Sequence, residues 1–247
     1  MKSATNTKKT GFDAWQSYVN SATSQPKTWN QYDCEIQMAV YEYNSHLGMV
    51  TGYMPLDWRL IKAMMWVETG AGKPEWNSSP IQIGNPGDPG LAALLNGKEG
   101  GDLILPPRLK RSLTATAATI IPADNIRAGI GYLLMRMANF AVKSVPDSDS
   151  TIYEVIVNPG DSLERVARVQ GSTVELLRHL NPGAYELRPG QTLKYRKGAV
   201  RKVIVGWKPI TTNSIATYYN VGDPMYAQKL DYALSVMSKQ KESACAP

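Results

Sequence analysis

Residues 153–197 read YEVIVNPGDSLERVARVQGSTVELLRHLNPGAYELRPGQTLKYRK, and this stretch decides how the chain is organised. TIYEVIV is rich in β-branched residues and reads as a strand, while NPGD supplies the residues of a tight turn. SLERVARVQ and TVELLRHL each begin on a hydroxyl that can cap a helix, and QTLKYR closes as a second strand. The pattern predicts a compact βααβ unit. Before it, PDSDS within residues 145–150 is a polar linker. Beyond Trp207 helical spacing returns, through Ile215, Tyr218 and Tyr219 and then Tyr226, Leu230, Ala233, Leu234 and Met237. The small unit, 151–202, is therefore expected to be inserted in a helical domain made of 31–150 and 203–247. Residues 1–30, rich in Ser, Thr, Asn and Lys without a sustained period, read as a flexible arm.

Outside the insert the readable elements are helices. From Tyr32 to Leu47 the apolar positions fall at helical intervals, and Gly48 and Gly52 come next as stops. In PLDWRLIKAMMWVETGAG, Asp57 is placed to cap a helix whose Leu60, Ile61, Met64, Met65 and Val67 make a broad apolar face. Gly70 and Gly72 end it, leaving Glu68 in the last turn, where the helix dipole disfavours negative charge. An apolar face beside that carboxylate predicts a raised pKa. Residues 73–107 are dense in Gly, Pro, Asn and Asp and read as a long irregular excursion, with no assignable pattern over 84–111. Residues 113–121 and 123–142 read as two further helices separated by Pro122.

Composition bounds the rest. The 247 residues are 43% hydrophobic and 19% charged, which suits a folded chain of one or two domains, and no apolar run approaches a membrane span. A net charge of +6 would favour any polyanion, but the basic residues are scattered and no nucleic-acid-binding signature accompanies them. Neither nucleic acid nor membrane insertion is expected. The first residues carry lysines with no apolar stretch behind them, so no Sec-type signal peptide is read. Cys34 and Cys245 lack metal spacing, and their pairing stays open; with only His46 and His179 and no HExxH, no metal is expected.

The 153–197 stretch resembles a LysM module through its PGD-S-L turn, the Val166-Ala167 pair, LLRxLNP and the PGQ-L ending. That resemblance implies binding of N-acetylglucosamine-containing polymers between two loops, Gly160, Asp161, Ser162 and Leu163 on one side and Asn181, Pro182, Gly183 and Ala184 on the other. The remaining chain resembles the catalytic domain of soluble lytic transglycosylases and goose-type lysozymes. The matches are Glu68-Thr69 for Glu-Ser, Pro80-Ile81-Gln82-Ile83 for Gly-Leu-Met-Gln-Ile, Asn125-Ile126-Arg127-Ala128-Gly129 for Asn-Ile-x-x-Gly, and Tyr219-Asn220-Val221-Gly222 for Tyr-Asn-Ala-Gly. The expected fold is thus a mainly α, lysozyme-like domain with a small βααβ LysM domain inserted. Ser79-Pro80-Ile81 departs from the pattern, as does the insert's position, since LysM units usually stand in tandem.

The resemblance implies cleavage of the β-1,4 bond between N-acetylmuramic acid and N-acetylglucosamine, without a cofactor. Glu68 would act first as acid and then as base, Gln82 would contact the glycan, and the Tyr219 hydroxyl would hydrogen-bond Glu68 or the sugar. Asn125 and Asn220 would contribute to substrate binding. A hydrolase needs a second carboxylate to activate water, for which Glu75, Asp88 and Asp102 are candidates; without one, the substrate's own 6-hydroxyl attacks, which is the transglycosylase outcome favoured here. Trp58, Trp66, Trp76, Tyr53 and Tyr132 are candidate sugar platforms. The partners expected are peptidoglycan strands and, for an antibacterial effector, a cognate immunity protein. Delivery to the periplasmic or extracellular wall would use a type VI-like secretion machine or a phage lysis system. The rivals are a non-catalytic wall-binding protein and a peptidase using Cys34 or Cys245 with a histidine.

Overall fold

The computed structural model describes residues 11–240 and Cys245. The chain runs α1 (Gly11–Thr23), α2 (Pro26–Trp29), α3 (Asp33–Leu47), α4 (Trp58–Glu68), α5 (Gly90–Asn96), α6 (Gly101–Ile104), α7 (Pro107–Ser112), α8 (Ala115–Ile120) and α9 (Pro122–Met137). It continues β1 (Ala138–Pro146), β2 (Tyr153–Ile156), α10 (Leu163–Gln170), α11 (Val174–Leu180), β3 (Thr192–Tyr195), β4 (Gly198–Trp207), α12 (Thr212–Tyr218) and α13 (Tyr226–Met237). The described residues fall into two compact units, one within 1–139 and 204–247 and the other 140–203.

In the first unit α4 is a central element, for a reason visible in its sequence. Asp57 accepts the Arg59 N–H at 2.9 Å and caps the helix, and Leu60, Ile61, Ala63, Met64, Met65 and Trp66 are all buried. The helix packs on α3 and α13. Even Lys62 is buried, paired with Asp33 at 2.7 Å and hydrogen-bonded to Asn30 at 2.8 Å. A charge taken from water in this way persists only with such partners. Alongside, α9 buries Ile126, Ala128, Ile130, Leu133, Leu134 and Met137 against α3, α5, α6 and α8.

Three expectations need correction. Residues 11–30 form α1 and α2 instead of a flexible arm: Val19, Ala22 and Trp29 are buried, and Phe12 and Trp15 pack on Tyr232 with centroids 6.4 and 6.0 Å away. Polar composition hid that aromatic spacing; residues 1–10 of the expected arm lie outside the described residues. The segment 84–111, read as without pattern, carries α5, α6 and most of α7, each too short to register as a period, with Leu91, Leu94, Ile104 and Leu109 buried. Finally, the helix expected through residue 142 stops at Met137. There the Lys208 N–H donates to Met137 O at 2.8 Å and its ammonium donates to Arg136 O at 2.9 Å, so the helix end is capped from just beyond β4 and the chain leaves as β1.

Cys34 and Cys245 form a disulfide with Cα atoms 5.3 Å apart, joining the start of α3 to a point 211 residues away. Both cysteines of the chain are consumed, so the thiol that a cysteine peptidase requires is absent.

The second unit holds β2 and β3 as an antiparallel pair, Tyr153 opposite Tyr195 and Ile156 opposite Thr192. Val157, Leu163, Val166, Ala167, Leu177 and Leu193 fill its core. Ser162 and Thr173 cap α10 and α11 by accepting the Arg165 and Leu176 N–H groups, each at 3.2 Å. The unit begins at residue 140, earlier than expected, because β1 pairs with β4 as a two-stranded ribbon.

Candidate active site

Glu68 closes α4, and the turn after that helix shapes its surroundings. Gly70, at φ 64°, takes the left-handed conformation that terminates the helix, and its N–H returns to Met65 O at 3.1 Å. The buried Thr69 hydroxyl donates to Pro80 O, pinning the next loop against the helix end. From the other side Asn125 holds the same loop: its Oδ1 accepts the Ile81 N–H at 2.9 Å, and its Nδ2 donates to Ile83 O and Ala118 O at 3.2 and 2.7 Å. Between these anchors Gln82 sits at φ 56°, the one non-glycine positive φ among the described residues. Such a conformation is costly for a side-chain-bearing residue and persists where the surroundings over-determine it.

The second wall comes from the α12–α13 loop. The Asn220 Oδ1 accepts the N–H groups of Gly222 and Asp223 at 3.2 and 3.3 Å, which orients its Nδ2 to donate to Glu68 Oε1 at 3.3 Å. The Tyr226 hydroxyl donates to the same oxygen at 2.7 Å. Among the described residues Oε2 takes no hydrogen bond. Burial pushes the Glu68 pKa above the ordinary carboxyl value; the bonds from Tyr226 and Asn220 and the nearby Lys73 pull it down, and Asp223 adds a smaller upward push. Desolvation wins, which favours the protonated acid. A cleft of about 220 Å³ is lined by Glu68, Gln82, Asp88, Tyr132, Tyr219 and Asn220, with Ile81, Ile83 and Val221 completing it. Tyr219 packs on Tyr132 with centroids 5.6 Å apart.

The structure thus brings together Glu68, Gln82, Tyr219 and Asn220, but it redistributes two roles. Asn125 is fully buried with its amide committed to backbone groups, so it shapes the loop and has no surface to offer a sugar. The hydroxyl on Glu68 belongs to Tyr226, while Tyr219, expected to bond either Glu68 or the sugar, lines the cleft. Tyr226 had read as one more apolar position of α13, and only the fold reveals that its ring is buried while its hydroxyl reaches the acid. Of the three acidic candidates Asp88 alone lines the cleft; Glu75 lies on the 3-10 turn Pro74–Asn77 and Asp102 on α6. Of the five candidate sugar platforms Trp66 and Trp76 are core, their rings 5.0 Å apart, and Tyr132 lines the cleft beside Tyr219.

In the small unit the expected glycan loops are only partly free. Leu163 is buried in the core, and Asn181 is spent on tying its loop to β3, accepting the Lys194 N–H at 2.8 Å and donating to Lys194 O at 2.7 Å. Asp161 accepts the Asn158 N–H at 2.8 Å and Ser162 serves as the α10 cap, while Gly160, Pro182 and Gly183 are exposed and Ala184 is half-buried. Beside the second loop lies an open cleft lined by Gly183, Tyr185, Glu186, Arg188 and Gln191. Tyr185 is 87% exposed, an unburied aromatic the motif comparison did not single out.

Compared with known proteins, residues 155–195 match the LysM domain. No curated protein and no solved structure matches the chain. The insert is accordingly a LysM domain, and LysM domains bind the glycan of peptidoglycan.

Proposed function

We propose that this chain cleaves the glycan backbone of peptidoglycan between N-acetylmuramic acid and N-acetylglucosamine, while its LysM domain holds the polymer. The observation that carries the reading is Glu68: a carboxyl on a cleft wall, with a raised pKa and one oxygen fixed by Tyr226 and Asn220. Cleavage of a glycosidic bond needs a proton on the leaving oxygen. With Oε1 saturated by donors, the transferable proton resides on Oε2. Once it has gone, the Tyr226 and Asn220 donors stabilise the carboxylate, which then serves as base for the second half of the reaction. Gln82 and Asn220 supply amides for acetamido and hydroxyl groups, and the lysozyme-like character of the helical unit belongs to this same proposal.

Attack by the substrate's 6-hydroxyl, giving an anhydro product, is the preferred second half. One observation favours hydrolysis instead: Asp88 lines the cleft with Glu68. Its oxygens accept the Gly90 and Gly84 N–H groups at 2.8 and 3.4 Å, which also gives it a loop-ordering role. Mass spectrometry of digested peptidoglycan separates the two, 1,6-anhydromuramoyl ends for the first and reducing ends for the second. The Cys34–Cys245 disulfide supports work in an oxidising compartment such as the periplasm or cell exterior. Delivery by a type VI-like machine or a phage lysis system, with an immunity protein in the former case, is part of the proposal.

The test is Glu68→Gln, which keeps shape but removes the transferable proton. Cleavage should fall by about a hundred-fold to ten-thousand-fold while sedimentation with insoluble wall is retained. Wild-type protein that binds wall and releases no glycan fragments would instead establish the non-catalytic reading.

A further inference from the structure

A groove of about 720 Å³ in the LysM-bearing unit lies away from the loops expected to hold glycan. One wall is the ribbon, with Val142, Lys143, Ser144 and Val200, and the other is the α10–α11 region, with Glu164, Ala167, Arg168, Thr173, Val174 and Glu175. The ribbon residues fall outside 155–195, so the groove exists only because of the strands that carry the insert. Both walls are held in place. The Ser144 and Thr173 hydroxyls are hydrogen-bonded, the Ser172 hydroxyl donates to Arg196 O at 2.7 Å, and the Gly198 N–H donates to Gly171 O at 3.0 Å. A Cβ at Gly198 would come within 2.7 Å of Val145 O, a closeness that only glycine permits. A preformed groove of this volume is in the range that takes a small ligand.

Its chemistry is specific. Val142 and Val200 are 67% and 63% exposed, and with Ala167 and Val174 they give small apolar contacts. Around them stand charges of both signs. The side chains of Lys143, Arg168 and Glu175 enter no hydrogen bond or ion pair with another described residue. No aromatic ring lines the groove, which removes the platform a neutral sugar prefers. The acidic side chains equally disfavour a polyanion. What matches small apolar contacts flanked by unpaired cations and carboxylates is a short peptide of small residues bearing free carboxylate and ammonium groups.

We propose that this groove binds the peptide stems that peptidoglycan strands carry, Arg168 and Lys143 taking stem carboxylates and Glu175 an ammonium group. The inference rests on the peptidoglycan reading of the LysM domain, to which it adds a second, non-glycan contact. Charge-assisted bonds of this type are each worth enough for about a ten-fold change in affinity.

The experiment titrates the full chain, isotope-labelled for NMR, with two probes: a synthetic sugar-free stem tetrapeptide ending in a free carboxylate and carrying a side-chain amine, and a chitooligosaccharide. The tetrapeptide should shift Val142, Arg168, Val174 and Val200 and leave 181–184 unmoved. Arg168→Glu should weaken it about ten-fold while leaving chitooligosaccharide binding unchanged, which also shows the variant is folded. A tetrapeptide that shifts nothing, or shifts only the glycan loops, while the oligosaccharide binds would overturn the groove assignment and leave the glycan reading standing. Failure of both probes overturns both readings. Shifts at the groove residues on concentrating the protein alone would assign it to a second copy and likewise overturn the proposal.

Discussion

At the scale of the residue, Glu68 ties stability to chemistry. Its folded pKa lies above the ordinary value of 4.5, so the fold favours the protonated form; that contribution is present below the unfolded pKa and is lost as pH rises through the folded one. Glu68→Gln never ionises, so its stability relative to wild type should increase as pH rises through this window. Thermal unfolding of both proteins between about pH 4 and about pH 7 measures it, and a difference that stays flat or shrinks contradicts the buried-acid picture. In the proposed reaction the same acid should set the upper pH limb of activity. Tyr226→Phe removes a donor that pulls the Glu68 pKa down, so the limb should move to higher pH while turnover falls about ten-fold to a hundred-fold. Tyr219→Phe leaves both bonds to Glu68 intact and should shift no limb, even if cleft contacts are lost. Equal limb shifts in the two variants would remove the distinction drawn between these tyrosines.

At the scale of the element, the loop carrying Gln82 is shaped by α9, which both bonds it through Asn125 and packs against it. A side chain at Gly129 of α9 would overlap Ile81, so the absence of Cβ there lets the loop lie flat on the helix. Gly129→Ala should gain up to about 1 kcal/mol in helix propensity and lose about 1 to 3 kcal/mol to overpacking. The net stability change is then small or moderately unfavourable. Turnover should suffer more than stability, because Gln82 shifts with Ile81; a variant less stable yet fully active would show that the strained backbone of Gln82 has no bearing on the reaction. The contrast between elements also shows what sequence can carry. The Asp57 cap and apolar face of α4, and the turns and caps of the βααβ unit, are local signals and were legible. β1 was not, since its extended form depends on β4 some sixty residues later, and its residues continue smoothly from a helical pattern. Nor was the role of Asn125: a polar residue in a motif suggests ligand contact until its burial shows that every amide atom is already taken.

At the scale of the whole molecule, the chain is a helical unit closed by a disulfide with a LysM-bearing unit spliced into one ribbon. The splice points are neighbours: a Cβ at Gly206 would meet Asn139 Nδ2 at 3.9 Å, and Met137 O accepts the Lys208 N–H. Removing 140–203 and joining Asn139 to Ile204 through a short glycine bridge should therefore leave the helical unit folded, with its disulfide and the Glu68 cleft intact. The consequence for function comes from how tethering works. A module that holds the polymer raises the effective concentration of glycan at the cleft, to roughly millimolar for a short connection, without touching the barrier to bond cleavage. Loss of the unit should thus weaken retention on insoluble wall by about a hundred-fold or more, while turnover of soluble glycan fragments at saturation stays within a few-fold of the intact chain. Sedimentation and product release are the two measurements, with circular dichroism as the check on folding. Retention that survives the excision would place wall binding in the helical unit. A folded product that has lost turnover on soluble fragments would mean instead that the inserted unit contributes to the chemistry itself, beyond holding the strand.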